Sequence, residues 1–264
     1  MPAKIITLLT DFGTTDGYAA AMKGVILGIC PEARLVDITH LVPPQDVRTG
    51  GFILAGVHSF YPGGTVHLAV VDPGVGTERR AVAVRTSNSF LVGPDNGIFS
   101  WILKREGFLE ARLLENRDLW RREVSRTFHG RDIFAPVAAH LACGIPFESV
   151  GPLCSPLVAD WASVTRTETE MRGEIIHVDR FGNAVSNITR EDMSAFAPDG
   201  PCIFRIGPHT IQGISDTYGH VPPGQPLALI GSTGHVEIAV NLGNASAVLA
   251  IRTGEPLTVT RPGD

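Results

Sequence analysis

Four glycine- and aspartate-containing turns hold the residues whose chemistry could build a site. In TDFGTTDG (10–17), Asp11 follows the apolar run IITLLT (5–10). A carboxylate there suits a grip on two ribose hydroxyls, or equally the capping of its own turn. In VVDPGVGTERR (70–80), Asp72 stands at the tip of a buried run and Arg79 follows one tight loop later. The pair reads either as ligand-facing groups or as a loop-closing ion pair, and Pro73, Gly74 and Gly76 allow a backbone that approaches a ligand closely. GPDNG (93–97) reads as a turn. In TFHGRD (127–132), His129 precedes a helical pattern. A lone histidine is commonly structural, but one in a glycine-containing loop at a helix start is also placed for proton or anion chemistry.

The second half concentrates polar groups in VDRFGNAVSNI (178–188) and IGSTGHVEIAVNLGNAS (230–246). Asp179, Asn183 and Ser232 there fit ordinary turn positions as well as ligand contacts. No GxGxxG follows the first strand, and no GxxxxGK[ST], HExxH or GxSxG occurs. These absences disfavour the common dinucleotide, P-loop, zincin and serine-hydrolase chemistries. Nine histidines and several aspartates form no ligand-spaced cluster, so neither a metal nor another cofactor is expected.

Such turns need a scaffold, and the residues between them predict one. IITLLT (5–10), LVDIT (35–39), TVHLAVVD (65–72), AVAVRT (81–86) and SFLVG (89–93) read as strands. Near-continuous apolar runs such as TVHLAVV imply burial on both faces of a largely parallel sheet. Segments 17–30, 46–61 and 130–144 read as covering helices, the second capped by Asp46 and the third with Pro136 in its first turn or at a kink. This is a Rossmann-like α/β domain over residues 1–165. From 166 to 264 the texture changes to short β-rich runs broken by Gly, Pro and Asn, with almost no helical periodicity, which predicts a smaller antiparallel β-barrel domain. Open α/β sheets bind ligands beyond the carboxyl ends of their strands, where the first four turns fall.

Bulk composition narrows the function. A hydrophobic content of 44% with 19% charged residues belongs to a globular chain. The net charge of −5, with 22 scattered Lys and Arg, offers no footprint for nucleic acid. Four singly placed cysteines fit reduced thiols in the cytoplasm, and neither a signal peptide nor a membrane span is expected.

The set TDFGTTDG, ICPEARLVDITH, DPGVGTERR, GPDNG, TFHGRDIFAPVAAHLA, DRFGN and IAVN resembles, in order and over nearly the whole chain, the S-adenosyl-L-methionine hydroxide adenosyltransferases, relatives of the fluorinases and chlorinases. The resemblance implies hydrolysis of S-adenosyl-L-methionine to adenosine and methionine by a homotrimer with sites at subunit contacts. By motif, Asp11 corresponds to the carboxylate on the ribose hydroxyls. Asp72, Arg79 and His129 correspond to the set that positions and activates water. Asp179 corresponds to the contact for the methionine ammonium, Asn183 to one for adenine, Phe181 to a wall of the site and Ser232 to a contact for the methionine carboxylate. Thr233 stands where the halogenating relatives carry an Arg beside this serine. Either Asp72 or His129 could serve as the formal base.

Three rival readings remain beside hydrolysis. Halide transfer on the same fold would be opposed by the Asp72 carboxylate, which repels an anion, and the long insertion of the fluorinating members after the AVAVR-like strand is lacking here. A non-catalytic sensor of the same ligand would not need the set Asp72, Arg79 and His129. A divalent-metal hydrolase would need the ligand cluster that the spacing does not supply.

Overall fold

The computed structural model describes residues 4–198 and 200–261. The chain divides into two compact units between Asp160 and Trp161. In the first, strands β1 (Ile5–Thr10), β2 (Arg34–Thr39), β3 (Thr65–Val70), β4 (Ala81–Arg85), β5 (Ser89–Pro94) and β6 (Glu110–Leu113) form one sheet in the order β2-β1-β3-β5-β4-β6. β1, β2, β3 and β5 run parallel, whereas β4 is antiparallel to both β5 and β6. The connections explain the difference. Helix-bearing segments 11–33 and 40–64 join β1 to β2 and β2 to β3, β3 reaches its parallel neighbour β5 only after the chain has passed through β4, and just three residues, 86–88, join the antiparallel pair β4 and β5.

Helices α1 (Tyr18–Ile29), α2 (Val47–Val57), α3 (Ser100–Glu106) and α4 (Ala135–Ala142) cover the sheet. Strand side chains alternate between two faces. Ile6, Leu8, Val66, Leu68 and Val70 pack with Met22 and Ile26 of α1 and Val137, Ala138 and Leu141 of α4 in one core. All six residues of β3 are buried, as its continuous apolar run requires. Asp46 caps α2 by accepting the Thr49 N–H at 2.9 Å, and Pro136 lies in the first turn of α4. Helix α3 and strand β6 escaped the sequence reading, because segments of seven and four residues are too short to show a period.

The second unit holds β7 (Thr165–Arg166), β8 (Glu170–Val178), β9 (Ala184–Thr189), β10 (Ile203–Ile206), β11 (His209–Gln212), β12 (Pro226–Ile230), β13 (His235–Val240) and β14 (Pro256–Thr260). Seven strands run antiparallel in the order β11-β10-β14-β8-β9-β13-β12, with β7 added to β8. After β11, the Ser215 N–H reaches the Ala228 carbonyl of β12 at 2.8 Å, so the outer strands nearly close a barrel. Ile175, Ile188, Phe204, Ile238 and Leu257 fill it. Two short helices, α5 (Arg190–Phe196) and α6 (Ala245–Val248), interrupt the all-β texture. Helix α5 starts at a reciprocal cap: Thr189 Oγ1 accepts the Asp192 N–H at 3.1 Å, and Asp192 Oδ2 accepts the Thr189 N–H at 2.9 Å. No helix among the described residues is long and apolar enough to cross a membrane.

One buried imidazole makes stability depend on pH. His67 of β3 is fully buried, shares a 2.8 Å hydrogen bond between Nδ1 and Thr7 Oγ1, and has no partner for Nε2 among the described residues. Burial, helped by the nearby His58, pushes its pKa down to about 3 from the ordinary 6.5. Between those values an unfolded chain binds a proton that the folded one refuses, so stability is complete above pH 6.5 and declines as pH falls toward 3. We expect about 2 kcal/mol to be lost between pH 6.5 and 5 in urea unfolding. His67→Asn, which keeps a polar partner for Thr7 but does not titrate, should flatten that slope, and an unchanged slope would assign it to other groups.

Candidate active site

β3 ends at Val70, so Val71 and Asp72 project beyond the carboxyl edge of the sheet. Asp11 likewise follows the last residue of β1, a strand parallel to β3 and paired with it. Between these ends lies a cavity of about 310 Å³ lined by Asp11, Phe12, Gln45, Asp72, His129 and Gly130 among others. Its position obeys the strand-end rule for open α/β sheets.

Asp72 and Arg79 meet as a fork. Arg79 Nε donates to Asp72 Oδ1 at 2.9 Å, and Nη2 donates to Oδ2. The same Nη2 lies 3.0 Å from His129 Nδ1. The Arg79 guanidinium also sits over the Phe134 ring, 5.1 Å from its centroid. Both ion-pair side chains are almost buried, at 5% exposure for Asp72 and 11% for Arg79. Because a guanidinium can only donate, His129 Nδ1 must accept, which leaves the proton of the neutral ring on Nε2. Burial first, then the Arg79 charge, holds the His129 pKa below the usual imidazole range, against weaker upward pulls from Asp72 and Asp132. The site thus holds a fixed carboxylate and a neutral imidazole whose Nε2 donates.

The local backbone explains how residues far apart in sequence meet. Gly76 has φ +75°, and a Cβ on it would stand 2.3 Å from the Arg126 carbonyl oxygen. Its bare Cα therefore lets the 72–80 loop press against the segment leading to His129. The glycine expected to admit a ligand admits the chain's own backbone instead. His129 itself precedes a π-helical turn, Gly130–Phe134, that leads into α4, and such turns concentrate at functional sites. Asp132 in that turn is fully buried. It accepts from Arg121 Nη1 at 2.9 Å, Arg131 Nε at 2.7 Å, Arg131 Nη2 at 2.8 Å and the Ser125 N–H at 2.9 Å. Burial alone would raise its pKa, but Arg131, the Ser125 N–H and Arg121 hold it below the usual carboxylate range.

Other contributors were hidden from sequence reasoning. Gln45 has φ +68°, uncommon for a side chain with a Cβ, and in that posture its N–H donates to Asp11 Oδ2 at 2.8 Å. GPDNG does not line the cavity. It braces the strand end instead: Asn96 Nδ2 donates to the Val71 carbonyl at 2.8 Å, and Asp95 pairs with Arg80. Only a pairing of GPDNG with the Asp72 turn could have revealed this, and one sequence does not supply it.

In the second unit, the DRFGN turn folds around Asp179. Its Oδ1 accepts the N–H groups of Phe181 at 2.9 Å and Asn183 at 2.8 Å, and its Oδ2 accepts Asn183 Nδ2 at 3.1 Å. Gly182, at φ +87°, stands where a Cβ would come within 2.1 Å of the Asn244 side chain. Asn183 is buried and Phe181 is 76% exposed. Ser232 is exposed in the 231–234 turn between β12 and β13. Beside these turns lies a pair that the sequence reading passed over, Tyr218 Oη donating to the buried Glu237 at 3.0 Å. Burial raises the Glu237 pKa, and the Asp179 charge adds to it against the Tyr218 hydrogen bond. Asp11, Asp72, Arg79 and His129 therefore converge within the first unit, while Asp179, Phe181, Asn183 and Ser232 occupy two turns of the second.

These features define a class: an α/β unit with a carboxylate, arginine and histidine constellation at its strand ends, followed by a nearly closed antiparallel barrel. Residues 6–151 match the SAM hydroxide adenosyltransferase N-terminal domain, and residues 173–258 match the C-terminal domain of the same family. The chain belongs to the SAM hydroxide adenosyltransferase family. It is 42% identical over 266 residues, 98% of each chain, to a Salinispora tropica protein named (R)-S-adenosyl-L-methionine hydrolase. A Thermus thermophilus protein of that name is 39% identical over 96% of this chain and 98% of its own. A protein of Actinoplanes sp. named fluorinase is 28% identical over 99% of this chain and 100% of its own. A solved structure from Thermotoga maritima, titled as an uncharacterized conserved protein, superposes with a TM-score of 0.90 at 39% identity, covering 97% of this chain and 100% of that one.

Asp132→Asn should replace one acceptor oxygen with an NH2 donor that faces donating guanidinium groups. Arg121 and Arg131 keep access to water, which moderates the loss. A destabilisation of about 2–3 kcal/mol in urea unfolding is expected, and a change below about 0.5 kcal/mol would show that this buried carboxylate does not organise the His129 turn.

Proposed function

We propose that this enzyme hydrolyses S-adenosyl-L-methionine to adenosine and L-methionine. The carrying observation is the fork of Arg79 on Asp72, with His129 on the same guanidinium, at the rim of a cavity that also holds Asp11. Asp11 takes the two ribose hydroxyls. Asp179 receives the methionine ammonium, Asn183 contacts adenine and steadies Asp179, Phe181 walls the site, and Ser232 contacts the methionine carboxylate. A water oxygen attacks the ribose C5′ in line with sulfur. The C5′–S bond breaks with its electrons going to sulfur, which becomes the neutral thioether of methionine, and one water proton is released. Asp72 accepts the hydrogen bond of the attacking water, takes that proton as the O–C5′ bond forms and passes it to solvent. His129 Nε2–H donates and fixes the water's orientation. Bulk water has a pKa of about 15.7, so alignment and removal from competing solvent supply most of the rate.

Halide transfer is the weaker reading. A nearly buried carboxylate at the cavity repels a halide, and the β4–β5 connection is a three-residue turn closed by Thr86 and Ser89. The relatives named hydrolase are also nearer in identity than those named fluorinase. The proposed setting is the cytoplasm, in keeping with four free cysteines. The proposed working unit is a homotrimer whose sites join the α/β unit of one copy to the barrel of another. A ring as exposed as Phe181 suits a wall completed by a neighbour.

Mass analysis of products, with and without chloride and in chelator, should find adenosine and methionine, with labelled water oxygen in the 5′-hydroxyl. A 5′-halo product or 5′-methylthioadenosine would overturn the reading. Asp72→Asn and His129→Ala should lower kcat at least about 100-fold with little change in KM. Since the neutral His129 is the working form and its pKa is depressed, the acid limb of kcat/KM should fall below pH 6.5.

Mixing inactive Asp72→Asn with inactive Asp179→Ala under subunit exchange should restore part of the activity. Confirmed exchange with no recovery would defeat the shared-site trimer.

A further inference from the structure

The segment LVDITH has no role in the mechanism above, yet it ends in a polar chain that reaches the residues on either side of Asp11. Lys23 Nζ donates to Asp37 Oδ2 at 2.6 Å. His40 Nε2 lies 3.1 Å from Asp37 Oδ1, at ion-pair distance but without hydrogen-bond geometry, and His40 Nδ1 lies 2.9 Å from Thr10 Oγ1. Thr10 Oγ1 in turn receives the Phe12 N–H at 3.3 Å. The His40 carbonyl receives the Gly13 N–H at 2.7 Å. Thr10 is fully buried and the His40 ring is 6% exposed.

The direction of this chain is set by what each group can do. The Asp37 carboxylate beside Nε2 favours the proton on that nitrogen, which makes Nδ1 the acceptor. The Thr10 hydroxyl must then donate to Nδ1, which leaves its lone pairs for the Phe12 N–H. Residues on both sides of Asp11 are thereby tied, Thr10 to the imidazole and Phe12 to the hydroxyl, while Gln45 N–H holds the carboxylate itself. Burying an imidazole and a hydroxyl is costly unless both are hydrogen-bonded, and an apolar pair would fill the same space without that requirement. A directional chain instead fixes orientation, and a grip on vicinal hydroxyls needs a carboxylate held within about 0.5 Å.

We propose that His40, acting through Thr10, is a positioning residue that sets the Asp11 carboxylate for two vicinal ribose hydroxyls. The inference rests on the reading of Asp11 given under the proposed function. Neither residue touches the substrate. The distinguishing readout is the ratio of affinities for adenosine and 2′,3′-dideoxyadenosine, measured by calorimetry on the full-length protein. The wild type should prefer adenosine by at least about 20-fold, the worth of charge-assisted hydrogen bonds to a carboxylate. Thr10→Val, nearly isosteric but without the hydroxyl, and His40→Ala should each shrink that ratio at least about fivefold. Thr10→Ser should restore it. A merely structural role would weaken both ligands alike and leave the ratio unchanged, which would overturn the proposal. So would an unaltered ratio in folded Thr10→Val even if His40→Ala failed to fold. A wild type that binds adenosine without preferring it would overturn the reading of Asp11 itself, and an intact preference abolished by Asp11→Asn would separate the two failures.

Discussion

A single guanidinium organises the first unit's functional edge. Arg79 is nearly buried, always charged, and able only to donate, so its position in the fold is stable only where acceptors surround it. Asp72 satisfies one side by a fork, His129 Nδ1 satisfies another, and the Phe134 ring lies beneath the planar group. The bond to His129 does more than close the set, because it decides which ring nitrogen keeps the proton. A lysine could supply the charge but not the planar fork that meets both Asp72 oxygens while Nη2 also reaches His129.

The supporting elements can be understood as answers to that demand. The Asp72 loop and the His129 segment can approach only because Gly76 lacks a Cβ. The π-helical turn after His129 is anchored by Asp132, a buried carboxylate surrounded by donors. Asn96 holds the Val71 carbonyl one residue before Asp72, and Gln45 adopts a positive φ to aim its N–H at Asp11. Strain and buried polarity of this kind oppose stability, and they persist where neighbouring bonds over-determine the geometry. Gly76 and Asp132 lie within four residues of Asp72 and His129, Asn96 holds the carbonyl next to Asp72, and Gln45 bonds Asp11 directly.

The barrel unit follows a different logic. Its DRFGN turn is built from backbone economy rather than from a shared cation: Asp179 closes its own turn through two N–H groups, and Gly182 admits Asn244. Burial, with the Asp179 charge adding to it, raises the Glu237 pKa, and burial with Glu237 nearby pushes Tyr218 up to about 12, so both groups hold their protons more firmly.

Local sequence was sufficient for much of this protein. The near-continuous apolar run of β3 announced a doubly covered sheet, Asp46 announced the start of α2, and three of the Gly- and Asp-containing turns supply Asp11, Asp72 and His129 to one cavity. The motif set also carried the family, because its order and spacing survive where no single turn is specific. Short α3, β6, α5 and α6 were not legible, since fewer than eight residues show no usable period. Nor were the roles of Gln45, Asn96, Asp132 and His40, whose partners come from distant segments. Residue type tells what a side chain can donate or accept, but only the tertiary structure decides which partner uses that capacity. The tautomer of His129 is the clearest case: it is set by an arginine fifty residues away.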